Sequence, residues 1–403
     1  MHRSTPLKAG TTLPYRPAVR LAARLGVCLL SLGVAMAIPG TAIGQSSAKP
    51  ISTAKLGAVY AFSGPFAIYS ATIKNGLEMA LDELNAQGNP KIELIMEDDR
   101  STKDDAINVY QKFIQRDKVL MIFGPLIGGQ VFAAGPLAQR AQTPVMLTSV
   151  ATPGVTGIGD NIFRTSVESS TVIPFTVTAA KRLLDVKKAA QIYTNDDQFS
   201  VGEYQAFAAS LKAEGVEVVG VETVRTGDVD FSAQLTKIRS LNPDTLVISS
   251  QGQEAVGIMT QARKLGLENI HFIGGNSLNS SGVVKDAGQA MEGALSATPW
   301  FLEMDNAKNL EFVKRYRERY ASDPDWLAAQ TYDAMYLVKQ AIKDANIAES
   351  DDPKTSRRKL RDAMAAIKSF DGVLGEIKFD ENRDPHVAGA VITVKNGKHV
   401  LAQ

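Results

Sequence analysis

The chain has 403 residues, 44 lysines and arginines against 43 aspartates and glutamates, a formal charge of +1 and one cysteine, Cys28. That balance, with no long basic stretch, excludes a nucleic-acid binder, and one cysteine excludes a disulfide framework. The length predicts two domains held by large apolar cores. In chain order, Arg3, Lys8, Arg16, Arg20 and Arg24 make a basic start without acids, 25–38 is almost wholly apolar, and Pro39-Gly40 breaks the run. Ala35-Met36-Ala37 and Ala42-Ile43-Gly44 both suit a signal peptidase, and the second leaves 45–50 as a flexible start. We read 1–44 as a cleaved signal peptide, since ~14 apolar residues fall short of the roughly 20 that span a membrane. Cys28 lies inside the apolar run rather than at its end, so no lipid anchor is expected. Taking 44 from 403 leaves 359 residues, and taking five bases from 44 leaves 39 against 43 acids, about −4, with no cysteine. No later segment reaches membrane-spanning length, so a product soluble outside the cytoplasm is expected.

From residue 54 onward, apolar runs alternate with amphipathic ones. The segment 55–61 predicts a strand. Ile73, Leu77, Ala80, Leu81 and Leu84 then fall at helical spacing, and Gly88 ends that helix. Strands at 92–96, 119–123 and 143–148 follow, with helices over about 103–116 and from Gly128-Gly129. Four such steps specify a parallel sheet covered on both faces. The pattern restarts near 172 with strands at 189–193, 216–223, 245–249 and 270–273 between helices over 199–214, 231–240 and 253–265. A helix-rich stretch over about 306–367 precedes β-like runs at 375–379, 388–394 and 399–402, with Asn396-Gly397 as the last hairpin turn. The expected fold is α/β: two Rossmann-like doubly wound lobes, joined by three crossings near 167–172, 297–302 and 371–376. The first lobe is assigned 51–170 with 301–372, and the second 171–300 with 373–403.

Ligands of open parallel sheets bind beyond the carboxyl ends of the strands, so the natural site is a cleft between the lobes. After the first strand, Ser63 and Gly64-Pro65 suit a tight turn, and Tyr69 on the next helix suits a pocket wall. The loop 124–130 has glycines, including Gly128 and Gly129, but no Lys-Ser/Thr pair, so it is no nucleotide loop. Glycines at a helix start expose backbone N–H groups to an anion, and 148–154 adds hydroxyls. The second unit presents the polar loops 194–199, 249–254 and 274–277, in which Asp196 and Asp197 are read as helix caps. The acids of 97–100 are read as structural. No GxSxG, HExxH or GxGxxG pattern occurs, and His271, His386 and His399 are scattered. Neither catalysis, metal nor cofactor is expected.

The ordered set Lys55-Leu56-Gly57-Ala58-Val59, Phe62-Ser63-Gly64-Pro65, Asn75-Gly76, Asn85-Ala86-Gln87-Gly88, Asp98-Asp99, Phe163-Arg164-Thr165, Asp230-Phe231-Ser232, Gln261-Ala262-Arg263 and Gly372-Val373-Leu374-Gly375 spans nearly the whole mature chain. It resembles the branched-chain amino acid (Leu/Ile/Val) binding proteins, type I periplasmic solute-binding proteins of ABC transporters. The resemblance implies a two-lobed, monomeric carrier that closes on an amino acid or small carboxylate and docks on a membrane permease.

By the same resemblance, Tyr69 matches an aromatic wall for the ligand's side chain, and Gly128 stands where the family often has a carboxylate-binding serine, leaving only its backbone N–H to serve. Ala151 and Thr152 match a carbonyl and a hydroxyl that hold the amino and carboxylate groups, and Phe199 and Gln251 match aromatic positions on the second lobe. Asn276 stands where the family has an acid that pairs with the ligand's ammonium. An ammonium here would need Glu254 or Asp197 as its countercharge, or the ligand has no ammonium. The other reading of the same cleft is a periplasmic sensor subunit that signals to a membrane receptor.

Overall fold

The computed structural model describes residues 48–387 and 389–402; the expected signal segment, 1–44, lies outside the described residues. The first half runs β1 (Thr53–Tyr60), α1 (Ala67–Ala86), β2 (Lys91–Asp98), α2 (Lys103–Gln111), β3 (Met121–Phe123), α3 (Gly128–Arg140), β4 (Val145–Leu147) and β5 (Ile162–Arg164). These strands form one parallel sheet in the order β2-β1-β3-β4-β5. Strand β1 is apolar on both sides because both of its faces are covered. Leu56, Ala58 and Tyr60 enter one core with Ile73 and Leu77 of α1, while Val59 enters another with Ala106 and Val131.

The second half repeats the plan with α4 (Ser169–Leu184), β6 (Lys188–Thr194), α5 (Gln198–Ala213), β7 (Glu217–Val224), α6 (Ser232–Ser240), β8 (Thr245–Ser249), α7 (Gly252–Lys264), β9 (His271–Gly274), α8 (Ser281–Ala287) and β10 (Leu295–Thr298). Its parallel strands run β7-β6-β8-β9-β10, the same order as in the first sheet. Ile192, Leu246 and Ile248 face α6 and α7, and Ala189, Val247 and Ile273 face α4 and α5. The sequence did not signal β5, β10 or α8. At three or four residues each, the two strands are too short and too fully buried to show a period.

The chain then returns to the first lobe. Helices α9 (Ala307–Tyr320), α10 (Trp326–Asp344) and α11 (Pro353–Ala366) pack there. Asn75 of α1 donates to the Tyr316 hydroxyl, and Arg357 donates to the carbonyl of Val119 beside β3. A small antiparallel sheet follows, β11 (Ser369–Gly372), β12 (Gly375–Phe379) and β13 (Pro385–His386). Finally β14 (Ala390–Lys395) joins β10 antiparallel and β15 (Lys398–Leu401) completes the second sheet. Asn396 and Gly397 both have positive φ, 54° and 68°, the tight-turn geometry that Asn-Gly favours.

The third crossing lies between β13 and β14 rather than at 371–376. Residues 373–386 stay with the first lobe because Asp333 of α10 accepts the Val373 and Leu374 N–H groups. Arg164 also holds Asp384.

Candidate functional site

In each sheet the chain order reverses beside its first strand, between β1 and β3 and between β6 and β8. Loops leaving the carboxyl ends of such neighbours diverge and open a crevice. The two crevices face one another around a small cavity, at the kind of place where small-molecule sites form in α/β sheets. Tyr69 on α1, Leu126, Ile127 and Gly128 after β3, and Ser149 to Thr152 after β4 form the first-lobe wall. Phe199 at the start of α5, Gln251 before α7, and Asn276 and Ser277 after β9 form the second. Trp326 and Leu327 at the start of α10 close the side between them.

Gly128 and Thr152 are a matched pair. A Cβ at position 128 would overlap the Thr152 hydroxyl, so glycine here makes room for threonine to reach the mouth of α3. The first N–H groups of a helix have no intrahelical acceptor and favour an anion. Thr152 is fixed from behind by Arg164, whose wholly buried guanidinium donates to the Thr152 carbonyl at 3.1 Å, to Asp384 at 2.6 Å and to Glu168 at 2.5 Å. One side chain therefore joins the site loop to two of the three crossings.

Two contacts bridge the lobes at the cavity. The Gly252 N–H donates to the Tyr69 hydroxyl at 2.5 Å, and burial raises that phenol's pKa far above its ordinary value. Asp325 caps α10 through the Leu327 and Ala328 N–H groups while its other oxygen accepts from Ser281 on α8 and Thr72 on α1. This is a closed arrangement.

Behind the second wall, the Asn276 N–H donates to Glu203 at 2.9 Å. Glu203 is so close beneath the backbone that a Cβ on Gly275 would overlap its carboxyl. Burial pushes this carboxyl up to about 8, against the lowering effect of its hydrogen bonds. Asp197 caps α5 at Ser200 and accepts from the Gln251 amide, and Glu254 accepts from Gly227. No acid, lysine, arginine or histidine lines the cavity among the described residues. Four lining groups are nevertheless buried without a protein hydrogen bond: Ser149 Oγ, Asn276 Nδ2, Ser277 Oγ and Trp326 Nε1. Each costs about 1–3 kcal/mol if left unmet, so the cluster suits a polar ligand.

Of the expected contacts, Tyr69, Gly128, Ala151, Thr152, Phe199, Gln251 and Asn276 line the cavity. Ser63 does not, because Asp98 at the end of β2 accepts its N–H and its hydroxyl and holds it in an exposed turn. Gly129 faces the Lys103 side chain instead of the cavity. Trp326 and Leu327 were missed, since they lie far along the chain in a stretch that reads only as helix. Asp325 before them was the available signal, an N-cap residue opening an apolar run. Among the described residues there is no grouping of histidine, cysteine or acids fit to hold a metal, and no helix long and apolar enough to cross a membrane.

Residues 53–398 match the family model described as periplasmic binding protein. The chain is 29% identical over 339 residues to Leu/Ile/Val-binding protein homolog 1 of Brucella suis biovar 1, covering 82% of this chain and 87% of that one. The leucine-binding protein LivK of Thermotoga maritima superposes with a TM-score of 0.79 at 27% identity, covering 87% of this chain and 98% of that one. A solute-binding protein of an ABC transporter from R. palustris, in complex with benzoate, superposes with a TM-score of 0.78 at 27% identity, covering 87% and 95%.

Proposed function

The chain belongs to the periplasmic binding protein family, and on that footing we propose that it is the periplasmic solute-binding component of an ABC importer, taking an amino acid or related small carboxylate. The observation that carries this reading is the buried cavity at the paired switch points of two parallel sheets, lined by neutral polar groups that lack protein partners. The solute first meets the first lobe, where the start of α3 and the Thr152 hydroxyl receive its carboxylate. Phe199, Gln251 and Asn276 then close over it. The Tyr69–Gly252 and Asp325–Ser281 bonds form at that moment, because their partners sit on opposite lobes. A ligand that binds only the closed form shifts the equilibrium toward it, and the closed monomer is the form that docks on the permease.

In this reading the lobes comprise 51–170 with 301–386 and 171–300 with 389–402, the crossings serving as the hinge. The protein releases its solute unchanged and is not an enzyme. The leucine-binding and benzoate-bound relatives support both ends of the ligand range.

A thermal-shift panel of amino and organic acids on the purified mature chain tests this. At least one compound is expected to raise Tm by several degrees when present at about 100 times its Kd. Thr152→Ala should weaken that compound roughly tenfold or more, as expected for losing a hydrogen bond to a charged group. A panel without any shift, or an unchanged affinity in the variant, contradicts the assignment.

A further inference from the structure

The neutral lining restricts the ligand further, on the reading that the cavity is the solute site. We infer that it selects a small carboxylic acid with an apolar body and no ammonium group, because the lining leaves N–H donors unpartnered and carries no negative charge to meet an ammonium. The donors are specific. Trp326 Nε1 can only donate, and it is buried without a partner. Asn276 Nδ2 is likewise unpartnered, while the Oδ1 of the same residue already accepts from Asn279. The Tyr69 oxygen accepts the Gly252 N–H, so its own hydrogen remains to be donated.

The acceptors that line the cavity are uncharged: the Ser149 and Ser277 hydroxyls, and carbonyls that each already take one hydrogen bond. The Val150 carbonyl takes the Ser166 hydroxyl at 2.7 Å, the Ala151 carbonyl takes the Ser169 N–H at 3.3 Å, and the Thr152 carbonyl takes Arg164. Gln251 gives its amide N–H to Asp197, leaving its carbonyl oxygen as an uncharged acceptor that suits a ligand hydroxyl. The nearby acids stand behind the lining. Asp197 Oδ2 is shared by the Ser200 N–H, the Ser200 hydroxyl and Gln251. Glu254 turns one oxygen to Gly227, and Glu203 faces the Asn276 backbone. Burial also disfavours the charged form of Glu203, which makes it a poor countercharge. An ammonium enclosed here would be desolvated without an opposite charge in contact. Leu126, Ile127, Val150, Phe199 and Leu327 supply the apolar surface for the ligand's body.

The test is calorimetric titration of the wild-type mature protein with acids matched in skeleton. Leucine is compared with 4-methyl-2-oxopentanoate and 2-hydroxy-4-methylpentanoate, and phenylalanine with phenylpyruvate and 3-phenyllactate. In the skeleton that fits, the oxo or hydroxy acid should bind roughly 100-fold or more tightly than the amino acid. Asn276→Asp, checked for an unchanged Tm, should narrow that ratio about tenfold or more by adding the missing charge. An amino acid that binds as tightly as its ammonium-free partners overturns the inference and leaves the solute-binding reading intact. Failure of both classes in both skeletons, and of every acid in the thermal-shift panel, overturns the solute-binding reading itself.

Discussion

Single residues divide into those that face the cavity and those that hold them there. Gly128 and Thr152 exchange volume, and no reading of the sequence alone shows that the hydroxyl takes the space a side chain at 128 would fill. Asn276 was legible as a position, but its neighbour in space, Glu203, was not. That acid is 73 residues away on α5 and looks like any helical glutamate. Its burial has a consequence for stability. A carboxyl whose folded pKa is raised, here from 4.5 to about 8, contributes stability that is full below pH 4.5 and is lost as pH rises through 8. Asp333, raised to about 7 by burial, acts in the same direction. His399 acts oppositely: lowered to about 4, its contribution is present above pH 6.5 and is lost as pH falls through 4. Between pH 6.5 and 8 only the acids vary, so Tm of the ligand-free protein should fall by about 1–3 °C per pH unit. Glu203→Gln keeps an acceptor for Asn276 and should flatten that slope. An unchanged slope in the variant, followed by calorimetry or circular dichroism, would show that Glu203 is not the titrating group.

At the scale of elements, the long ones were readable because their burial sets a period. Ile73, Leu77 and Leu84 gave α1, and the uninterrupted apolar run of β1 gave a strand covered on both faces. Elements defined by a few long-range partners were not readable. Strand β5 is three residues whose meaning comes from Arg164 reaching Asp384, 220 residues later. The same partnership displaced the expected third crossing toward β14. Arg164 is fully buried and spreads one guanidinium over a carbonyl and two carboxylates, which a lysine's single ammonium cannot match. Arg164→Lys should cost about 3 kcal/mol in chemical denaturation and weaken ligand binding, because the Thr152 loop loses its anchor. A loss below about 0.5 kcal/mol, the level of ordinary surface substitutions, would mean that the three contacts do not act together.

For the molecule as a whole, two copies of one strand order face each other, and the site belongs to neither alone. The sequence displayed the repeat and therefore the cleft. It placed most of the lining, because loops after parallel strands must converge there. It could not place Trp326 and Leu327, which enter from the segment that returns to the first lobe after the second is complete. The cavity is thus built from three stretches of chain, and in the proposed reading the solute completes the unpartnered donors between them. The most direct test is a crystal structure of the mature protein with the tightest acid from the titrations. One molecule is expected enclosed between the lobes, its carboxylate at Thr152 and the start of α3, with Asn276 or Trp326 donating to it. Ligand density outside this cavity, or contacts to one lobe only with the lobes apart, would contradict that expectation.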